Sequence, residues 1–304
     1  MSGTRHAHPW PNRMWPQPTR RVGGRGMNRH LWQTSDEPAY PNMDQASVAR
    51  VYDWLLGGKD NYRPDRDFGR KILEENRHLK RLVRDNRAFL GRAVRYLTQE
   101  AGIRQFIDIG TGLPTQNNVH DIAQRYAPES RVAYVDNDPL VAVHARALLA
   151  STSPRLTLYI HADAHESVTI LGKASAAGLD LSQPIALLFV AVLHFFEDAD
   201  AVVAPFLDAA APGSHLVISH GLSRPEMASV AAAYQDQLGV GTLRTTEQIT
   251  ALFGGWELVP PGVTPLPDWR PAVGEPATDR AAAELGLGGV ARKPARVVEK
   301  GCVR

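Results

Sequence analysis

The chain after Gly102 alternates short apolar segments with segments of helical spacing, and this alternation limits its fold more than any other sequence feature. Apolar segments of strand length lie at 104–109, 131–135, 156–161, 185–192, 215–219, 256–260 and 290–293. Helical segments separate them at 115–126, 139–150, 166–177, 198–210, 225–238 and 245–253. The alternation predicts an α/β fold, with a mostly parallel, doubly wound sheet covered by helices on both faces.

The part of the chain before Gly102 has a helical pattern only after residue 40. Asp44 is the predicted N-cap of a first helix that ends at Gly57, and two further helices follow. We expect the Arg residues of the third helical region to form its solvated face; they are Arg77, Arg81, Arg84, Arg87, Arg92 and Arg95. The predicted divisions are a disordered tail at 1–40, a helical cap or lid at 41–102, the α/β domain at 103–294 and a C-terminal tail at 295–304. Within the domain, 268–289 is predicted to be a long connection before the last strand.

The formal net charge of +2 is unevenly distributed. Six Arg residues against two acidic residues give residues 1–40 a charge of +4 (6 − 2), so the remainder sums to −2. We expect no nucleic-acid partner, because one would need a basic face on the folded part. Cys302 is the single cysteine, which excludes an intramolecular disulfide and is in keeping with a reducing cytoplasm. The apolar run at 185–193 is too short to span a membrane, so a cytoplasmic protein is expected, of open oligomeric state.

A glycine turn follows the first predicted strand, in the sequence FIDIGTGLPT. It matches the dinucleotide pattern G-x-G-x-x-G only in part, because Thr115 stands at the third glycine position. Asp108 would repel a pyrophosphate but attract a ligand that carries an ammonium and a sulfonium group. Ligands of open α/β sheets bind beyond the carboxyl ends of the strands. We therefore predict that Asp108, Gly110, Thr111 and Gly112 contact S-adenosylmethionine rather than NAD.

Acidic residues also end the second and third predicted strands. Asp136, with Asn137 beside it, lies roughly twenty residues past the glycine turn, where an acid accepts hydrogen bonds from ribose hydroxyls. Asp138 is the predicted N-cap of the next helix, a structural role. Asp163, followed by Ala164, is placed to accept from the adenine amino group. Capping of the following helix explains Asp163 nearly as well.

Residues 41–294 resemble a bacterial family of S-adenosylmethionine-dependent methyltransferases, long catalogued as a domain of unknown function. The resemblance is carried by ARVYDWLLGGKDNY, FIDIGTGLPTQNNVH, VAYVDNDPLVAVHARALL, LLFVAVLHFF and PGSHLVISH. It implies the Rossmann-like class I methyltransferase fold, a seven-stranded sheet with an antiparallel last strand, here with a helical N-terminal cap. It also implies cofactor contacts at Asp108, Gly110, Asp136 and Asp163. Pro114 replaces the third glycine of the generic D-x-G-x-G-x-G loop, a departure that the family shares.

The segment LLGGKDNY (55–62) places two glycines and a lysine directly after the first predicted helix. A nucleoside triphosphate loop, G-x-x-x-x-G-K-[ST], would need glycine where the chain has Asp53 and Ser or Thr where it has Asp60. No strand precedes the segment either. A helix stop followed by a polar turn explains the glycines but not the polar residues behind them.

The alternative, favoured by the resemblance, is that this segment is a lid over the open end of the sheet. The predicted cofactor contacts of the lid are Tyr52, Gly58, Lys59 and Asn61. Lys59 would meet the cofactor carboxylate, and Asp60 or Asn61 would support its ammonium group or the acceptor. Tyr52 or Tyr62 would offer a ring to the sulfonium.

Two histidines at predicted strand ends are the candidates for catalysis. Methyl transfer needs a base only where the acceptor must lose a proton, because alignment supplies much of the rate. His194, after the fourth strand, is the first candidate base and His220, after the fifth, is the second. Either histidine could instead be hydrogen-bonded to neighbouring backbone. No spacing of His, Cys and carboxylate residues suggests a metal site.

These observations favour an S-adenosylmethionine-dependent methyltransferase that acts on an unidentified, small-molecule acceptor. Two alternatives stay open. A non-catalytic protein could bind S-adenosylmethionine for regulation, and an NAD-dependent oxidoreductase could use a related fold, although Asp108 and Thr115 disfavour it.

Overall fold

A sheet of eight strands forms the centre of the computed structural model, which describes residues 42–114, 117–149, 156–272 and 279–295. The strands are β1 Gln105–Ile109, β2 Arg131–Asp136, β3 Thr157–His161, β4 Ala186–Val190, β5 His215–Gly221, β6 Glu257–Leu258, β7 Thr264–Pro265 and β8 Gly286–Arg292. Their order is β3-β2-β1-β4-β5-β8-β6, with β7 also paired to β8. Strands β1 to β5 pair in parallel, whereas β8 runs antiparallel to β5, β6 and β7.

The described helices cover both faces of this sheet and the end at which the parallel strands have their carboxyl ends. They are α1 Val48–Leu56, α2 Arg63–Glu75, α3 Leu79–Gln99, α4 Val119–Tyr126, α5 Pro139–Leu149, α6 Ser167–Ala176, α7 Ala199–Ala209, α8 Pro225–Leu238, α9 Thr246–Ala251 and α10 Arg280–Ala283. Two short 3₁₀ helices lie at Leu193–Phe195 and Leu266–Asp268. None of these helices is both long and apolar enough to cross a membrane.

The predicted α/β fold with an antiparallel last strand is confirmed, and the sheet has one more strand than the seven predicted, the two-residue β7. Strand β1 lies between β2 and β4, so the strand order reverses at β1. In open α/β sheets this reversal leaves a crevice beyond the carboxyl ends of the strands on either side of it. The polar residues after β1, β2 and β4 therefore come together at one edge.

The prediction of a long connection at 268–289 is wrong at its end, because β8 begins at Gly286 rather than 290. Residues 273–278 lie outside the described ranges, and α10 follows them. The first half of β8, Gly-Leu-Gly-Gly, has no apolar alternation that would predict a strand. Tertiary packing requires this composition, because a Cβ at Gly288 would lie 2.8 Å from the Phe89 ring and 2.9 Å from the Leu266 side chain.

Two apolar layers enclose the sheet. On one face, buried residues of α3 and α4 pack against β1, β2, β4, β5 and β8; they include Phe89, Leu90, Ala93, Val94, Leu97, Val119 and Ile122. On the other face, α6 and α7 pack through residues that include Ile170, Ala174, Val202, Val203 and Phe206. Because α3 covers the sheet, it belongs to the α/β layers as well as to the predicted cap.

A third apolar cluster joins the N-terminal helices to α8 beyond the carboxyl ends of the strands. It unites Val51, Leu55, Phe68, Ile72 and Val83 with Met227, Val230 and Ala233. Helices α1 and α2 are therefore held over this end of the molecule by packing.

Two local predictions in this region are wrong. Residue Ser47, and not Asp44, precedes α1 as its N-cap. The Arg residues of α3 do not all face solvent, because Arg92 is 5% exposed and donates to the carbonyl oxygens of Trp269 (2.8 Å) and Leu266 (2.7 Å). A buried guanidinium that satisfies turn carbonyls is a tertiary contact, which helical spacing does not reveal.

Candidate active site

The glycine turn after β1 is packed tightly against the segment that follows β4. Gly110 has a φ of +70°, and a Cβ there would overlap the Val192 side chain. Position 110 therefore requires glycine both for its backbone conformation and for space. Asp108, at the end of β1, is 6% exposed and accepts a hydrogen bond from Thr111 Oγ1 at 3.1 Å. The structure thus brings the predicted residues Asp108, Gly110 and Thr111 together with the end of β4.

Asp136, at the end of β2, is hydrogen-bonded to the same turn. Its Oδ2 accepts from the backbone N–H of Gly112 at 2.7 Å, and its Oδ1 accepts from the N–H of Asp138 at 2.9 Å. Asp138 in turn accepts from the N–H of Leu140 at 2.8 Å and from the Ser47 hydroxyl. Asp138 therefore has the structural role expected of it, and it also connects the start of α1 to the start of α5.

The buried carboxylates of Asp108 and Asp136 lie where a nearby positive charge would stabilise their ionised forms. Burial raises the pKa of Asp108 to about 6, and Thr111 and the Arg87 guanidinium act against this rise. Burial likewise raises the pKa of Asp136 to about 6, against hydrogen bonds from the backbone of Asp138 and Gly112. A ligand that brings positive charge to this pair would stabilise the ionised carboxylates.

Asp163, after β3, is engaged within its own loop. Its Oδ2 accepts from Asn137 Nδ2 at 2.9 Å, and its Oδ1 accepts from the backbone N–H of His165 at 3.0 Å and meets the His165 ring Nδ1 at 2.6 Å. Its pKa is lowered because these hydrogen bonds outweigh its partial burial. Ala164 is buried in the apolar layer under α6 and α7. Asn137 and Asp163 therefore lie together at the ends of β2 and β3, and their adenine contacts stay predictions.

The turn at 57–61 is built around the carboxylate of Asp53. Asp53 is 4% exposed, and its Oδ2 accepts from Asn61 Nδ2 at 2.9 Å and from the N–H of Asp60 at 3.0 Å. A side chain at Gly58 would overlap this carboxylate. Asn61 also donates to the carbonyl of Gly58 at 3.0 Å and accepts from Arg66. The polar residues of this turn thus have a structural reason, which lies in Asp53.

This turn lies next to the glycine turn and α5. Tyr62 packs against the apolar cluster of Leu113, Leu140 and Val141, and Asp60 lies 3.7 Å from the His144 ring. Lys59 is exposed, and neither a hydrogen bond nor an ion pair joins it to another described residue. The segment therefore has the position of the predicted lid, while its cofactor contacts stay predictions.

Beside the glycine turn, the ends of β4 and β5 open into a cavity of about 110 Å³, here called the site cavity. Helices α1, α3 and α8 supply most of its wall, which includes Tyr52, Leu55, Val83, Asn86, Met227, Val230 and Tyr234. Ala191, His194, Ser219 and His220 line it from the strand ends. Both predicted catalytic histidines thus face one cavity, and their ring centroids are 5.4 Å apart.

The two histidines differ in what their ring nitrogens contact. His220 Nε2 accepts from Arg244 at 3.1 Å, because a guanidinium can only donate, and Nδ1 therefore carries the proton that it donates to the Gly221 carbonyl at 2.7 Å. His194 Nδ1 is buried without a hydrogen-bond partner among the described residues. Burial, together with His220 and Arg244, lowers the pKa of His194 well below 6.5. His194 is thus a neutral imidazole at pH 7 whose Nδ1 has no partner among the described residues.

A chain of hydrogen bonds runs from α1 to the end of β4 along the cavity wall. Asn86 Nδ2 donates to the Tyr52 hydroxyl at 2.8 Å, and Ser219 Oγ donates to Asn86 Oδ1 at 2.5 Å. Ser219 Oγ also accepts from the N–H of Ala191 at 2.9 Å, a residue with a φ of +56°. This network fixes the Tyr52 ring and the backbone after β4 relative to each other.

Sequence reasoning missed three residues of the site. Arg244 is 7% exposed and donates to the carbonyls of Leu193, Phe196 and Glu197, so it holds the loop that carries His194. No sequence signal distinguishes it. Asn86 did leave a signal, because it is a polar residue on the apolar stripe of α3. Asp53 also left a signal, because it is an acidic residue within α1, close to the glycines that end this helix.

A larger, open groove of about 780 Å³ lies at the opposite edge of the sheet. Its lining includes Gln105, Arg131 and His215, the first residues of β1, β2 and β5. It is remote from the glycine turn, so the cofactor residues do not face it. Within the described ranges, no group of three or more His, Cys, Asp or Glu residues could hold a metal ion.

Comparison with known proteins identifies a family and two similar crystal structures. The model of a family described as S-adenosyl methyltransferase matches residues 36–294. The crystal structure of a candidate methyltransferase from Thermobifida fusca YX is 40% identical, with a TM-score of 0.79, over 84% of this chain and 97% of that one. A DUF574 family protein from Streptomyces avermitilis MA-4680 is also 40% identical, with a TM-score of 0.79, over 83% of this chain and 99% of that one. A search of curated proteins finds no match.

Proposed function

The chain belongs to the S-adenosyl methyltransferase family. From that premise we propose that it transfers the methyl group of S-adenosylmethionine to a small molecule bound in the site cavity. The enzyme class and the cofactor, S-adenosylmethionine, follow from the family. One observation supports the proposed place of the acceptor: Val192, which packs against Gly110 of the glycine turn, directly follows Ala191 in the cavity wall. Neither of the two alternative functions gains support from the family or the fold.

In this proposal the cofactor lies along the edge formed by β1, β2 and β3. Asp136 accepts from the ribose hydroxyls, because its carboxylate can accept about four hydrogen bonds and the backbone of Gly112, Asn137 and Asp138 does not fill all of these places. Asp108 faces the ammonium group, with Gly110, Thr111 and Gly112 along the methionine. Asn137, Asp163 and Ala164 surround the adenine.

Two cations are candidates for the methionine carboxylate. Lys59 lies on the exposed turn over this edge, and the turn itself needs no contribution from its side chain. Arg87, on α3, lies near enough for its charge to act on both Asp108 and Tyr52. Arg87 was predicted to face solvent, so the structure adds it to the candidates.

The chemistry in the cavity is an in-line displacement. A lone pair of the acceptor attacks the methyl carbon, the carbon–sulfur bond breaks, and its electron pair stays on sulfur to give the neutral thioether S-adenosylhomocysteine. Where the acceptor atom carries a proton, His194 receives it, because its imidazole is neutral at pH 7 and has a buried nitrogen without a partner. The second predicted base, His220, instead orients its surroundings, since both its nitrogens are engaged.

The test combines binding with turnover. Calorimetric titration should give binding of S-adenosylmethionine, and a screen of small molecules should reveal one that yields S-adenosylhomocysteine by mass spectrometry. With that acceptor, His194→Gln should lower kcat by about 10²–10⁴-fold while cofactor affinity is retained. Full turnover by His194→Gln would refute the base. Cofactor binding with no turnover across the screen would favour the non-catalytic alternative.

A further inference from the structure

Among the residues that the structure describes, no Asp, Glu, Lys or Arg side chain lines the site cavity. Its histidines are neutral at pH 7, because burial lowers the pKa of His220 to about 4 and lowers the pKa of His194 well below 6.5. A charged group that entered would lose its hydration without gaining a partner of opposite charge. The cavity therefore selects against charged ligands, in contrast to the adjacent cofactor edge with Asp108 and Asp136.

Aromatic rings form one continuous part of the wall. The His194 ring lies 4.3 Å from the Phe195 ring between centroids, and Phe195 lies 5.8 Å from Tyr234. Tyr52 completes this side, its ring held by the hydrogen bond from Asn86. Stacked and edge-on contacts with such rings favour a flat aromatic ligand over a branched aliphatic one.

The volume of the cavity limits the ligand to about one ring. At about 110 Å³ it approaches the roughly 150 Å³ of an engineered apolar cavity that holds benzene. A fused-ring or long-chain acceptor would need the wall to move.

Among the described residues, the polar side chains in the wall are satisfied by the protein, with three exceptions. The Tyr52 hydroxyl, Asn86, Ser219 and His220 all have hydrogen-bond partners within the fold. Across the described part of the chain, no hydrogen bond reaches the His194 ring, the Tyr234 hydroxyl or the Thr242 hydroxyl. A ligand can therefore gain hydrogen bonds here only through a small number of polar atoms, and a hydroxyl hydrogen suits the free nitrogen of His194.

We propose that the methyl acceptor is an uncharged, single-ring phenol whose hydroxyl donates to His194 while its ring packs against Phe195 and Tyr234. This inference rests on the proposed function. The phenol oxygen forms the bond to the methyl carbon, the carbon–sulfur bond breaks with its electrons on sulfur, and the phenol proton passes to His194. The products are an aryl methyl ether and S-adenosylhomocysteine.

Ring-matched probes test this assignment. The protein, saturated with S-adenosylhomocysteine, is titrated with 4-fluorophenol, 4-fluorobenzoate, 4-fluorobenzylamine and 4-fluorocyclohexanol, with ¹⁹F NMR as the readout. We expect saturable binding of 4-fluorophenol, weaker binding of the cyclohexanol, and no saturable binding of the two charged probes. Equal or tighter binding of a charged probe, or no binding of 4-fluorophenol, would overturn the proposal.

Variants locate the binding within the cavity. Ala231→Leu fills the cavity from α8, whereas Ala232→Leu makes the same change at the exposed neighbouring position and serves as the control. Ala231→Leu should weaken 4-fluorophenol binding by about tenfold or more and Ala232→Leu should not. Phe195→Leu, which keeps apolar volume, should weaken the phenol more than the cyclohexanol. If both cavity variants bind 4-fluorophenol as the wild type does, the assignment fails.

Failure of this inference differs from failure of the proposed function. If the protein binds S-adenosylmethionine and methylates a charged acceptor, the phenol class is wrong while methyl transfer stands. If it does not bind S-adenosylmethionine in a parallel titration, the cofactor placement fails whatever the fluorinated probes do.

Discussion

Arg244 donates to His220 Nε2 at 3.1 Å and, with the same guanidinium, to the carbonyl of Leu193, the residue before His194. One buried side chain therefore sets the tautomer of His220 and the position of the loop that carries the candidate base. Burial lowers the pKa of the Arg244 guanidinium, and the charges of Asp200 and Asp198 act against this. We regard Arg244 as a positioning residue that does not touch the acceptor.

Arg244→Gln should lower kcat by about tenfold or more and leave cofactor affinity unchanged, because the loop that holds His194 would lose most of its hydrogen bonds. The free energy of unfolding should fall by about 1–3 kcal/mol, the cost of leaving a buried carbonyl unpaired. Urea unfolding and calorimetry measure the two quantities. A variant that loses stability but keeps kcat would show that Arg244 is structural only. Exposed Arg224→Gln, before α8, is the control.

Affinity for S-adenosylmethionine should fall as the pH falls through about 6. The free protein holds Asp108 and Asp136 with pKa values near 6, whereas an ammonium group and ribose hydroxyls favour the ionised forms. Binding below pH 6 must therefore release protons, and each costs up to about tenfold in affinity per pH unit. Calorimetry between pH 5 and 8 measures this. Asp136→Asn should bind more weakly at pH 7.5 with a shallower pH dependence, and an unchanged slope would contradict the assignment.

Stability of the ligand-free protein should have the opposite pH dependence. Because folding raises these two pKa values above the unfolded value of 3.8, the folded state binds more protons between pH 4 and 6. The contribution of these two carboxyl groups to the free energy of unfolding is complete below about pH 4. It is lost as the pH rises through 6, by up to about 3 kcal/mol for each carboxyl. Denaturant unfolding of wild type and Asp108→Asn at several pH values measures it. We expect the stability of Asp108→Asn to depend less on pH. If the variant has the same pH dependence as the wild type, Asp108 is not one of the groups that cause it.

The methionine carboxylate can be assigned by comparing ligands. Lys59→Ala and Arg87→Ala are each titrated with S-adenosylmethionine and with adenosine, which lacks the methionine. Loss of a charge-assisted hydrogen bond should weaken the whole cofactor by about 1.5–3 kcal/mol and leave adenosine unchanged. Arg84→Ala, an exposed position on α3, is the control. A loss confined to Arg87→Ala would move the carboxylate contact to α3, and equal affinities throughout would exclude a lid over the methionine end.

The turn at 57–61 should depend on Asp53 more than on its own charged residue. Asp53→Ala removes the oxygen that accepts from the Asn61 side-chain amide and from the N–H of Asp60, and should destabilise the protein by about 1–3 kcal/mol. Lys59→Ala, at an exposed site, should change the free energy of unfolding by no more than about 0.5 kcal/mol. Urea unfolding of both variants gives the comparison. Equal stabilities would mean that Asp53 does not organise the turn.

The sequence by itself determined the order of the strands and helices and the edge at which Asp108, Asp136 and Asp163 meet. The periodicity that predicts each element is local in the sequence, so consecutive residues are enough to identify it. The shared edge then follows from the general rule that parallel strands end at one edge of the sheet. For the same reason the glycine turn and both histidines could be selected from the sequence.

Only the tertiary structure decided which polar groups are already satisfied. The sequence placed His194 and His220 after equivalent strands, whereas the structure has His220 inside β5 and His194 in the 3₁₀ helix after β4. Arg244, from a distant loop, engages His220, and His194 Nδ1 has no partner among the described residues. Asp53 explains the 57–61 turn through hydrogen bonds that sequence spacing does not encode, and β8 starts among glycines because Phe89 and Leu266 take the space of side chains. Such contacts join residues far apart in the chain, and their energies depend on burial and on the presence of a partner, which arise only when the layers pack.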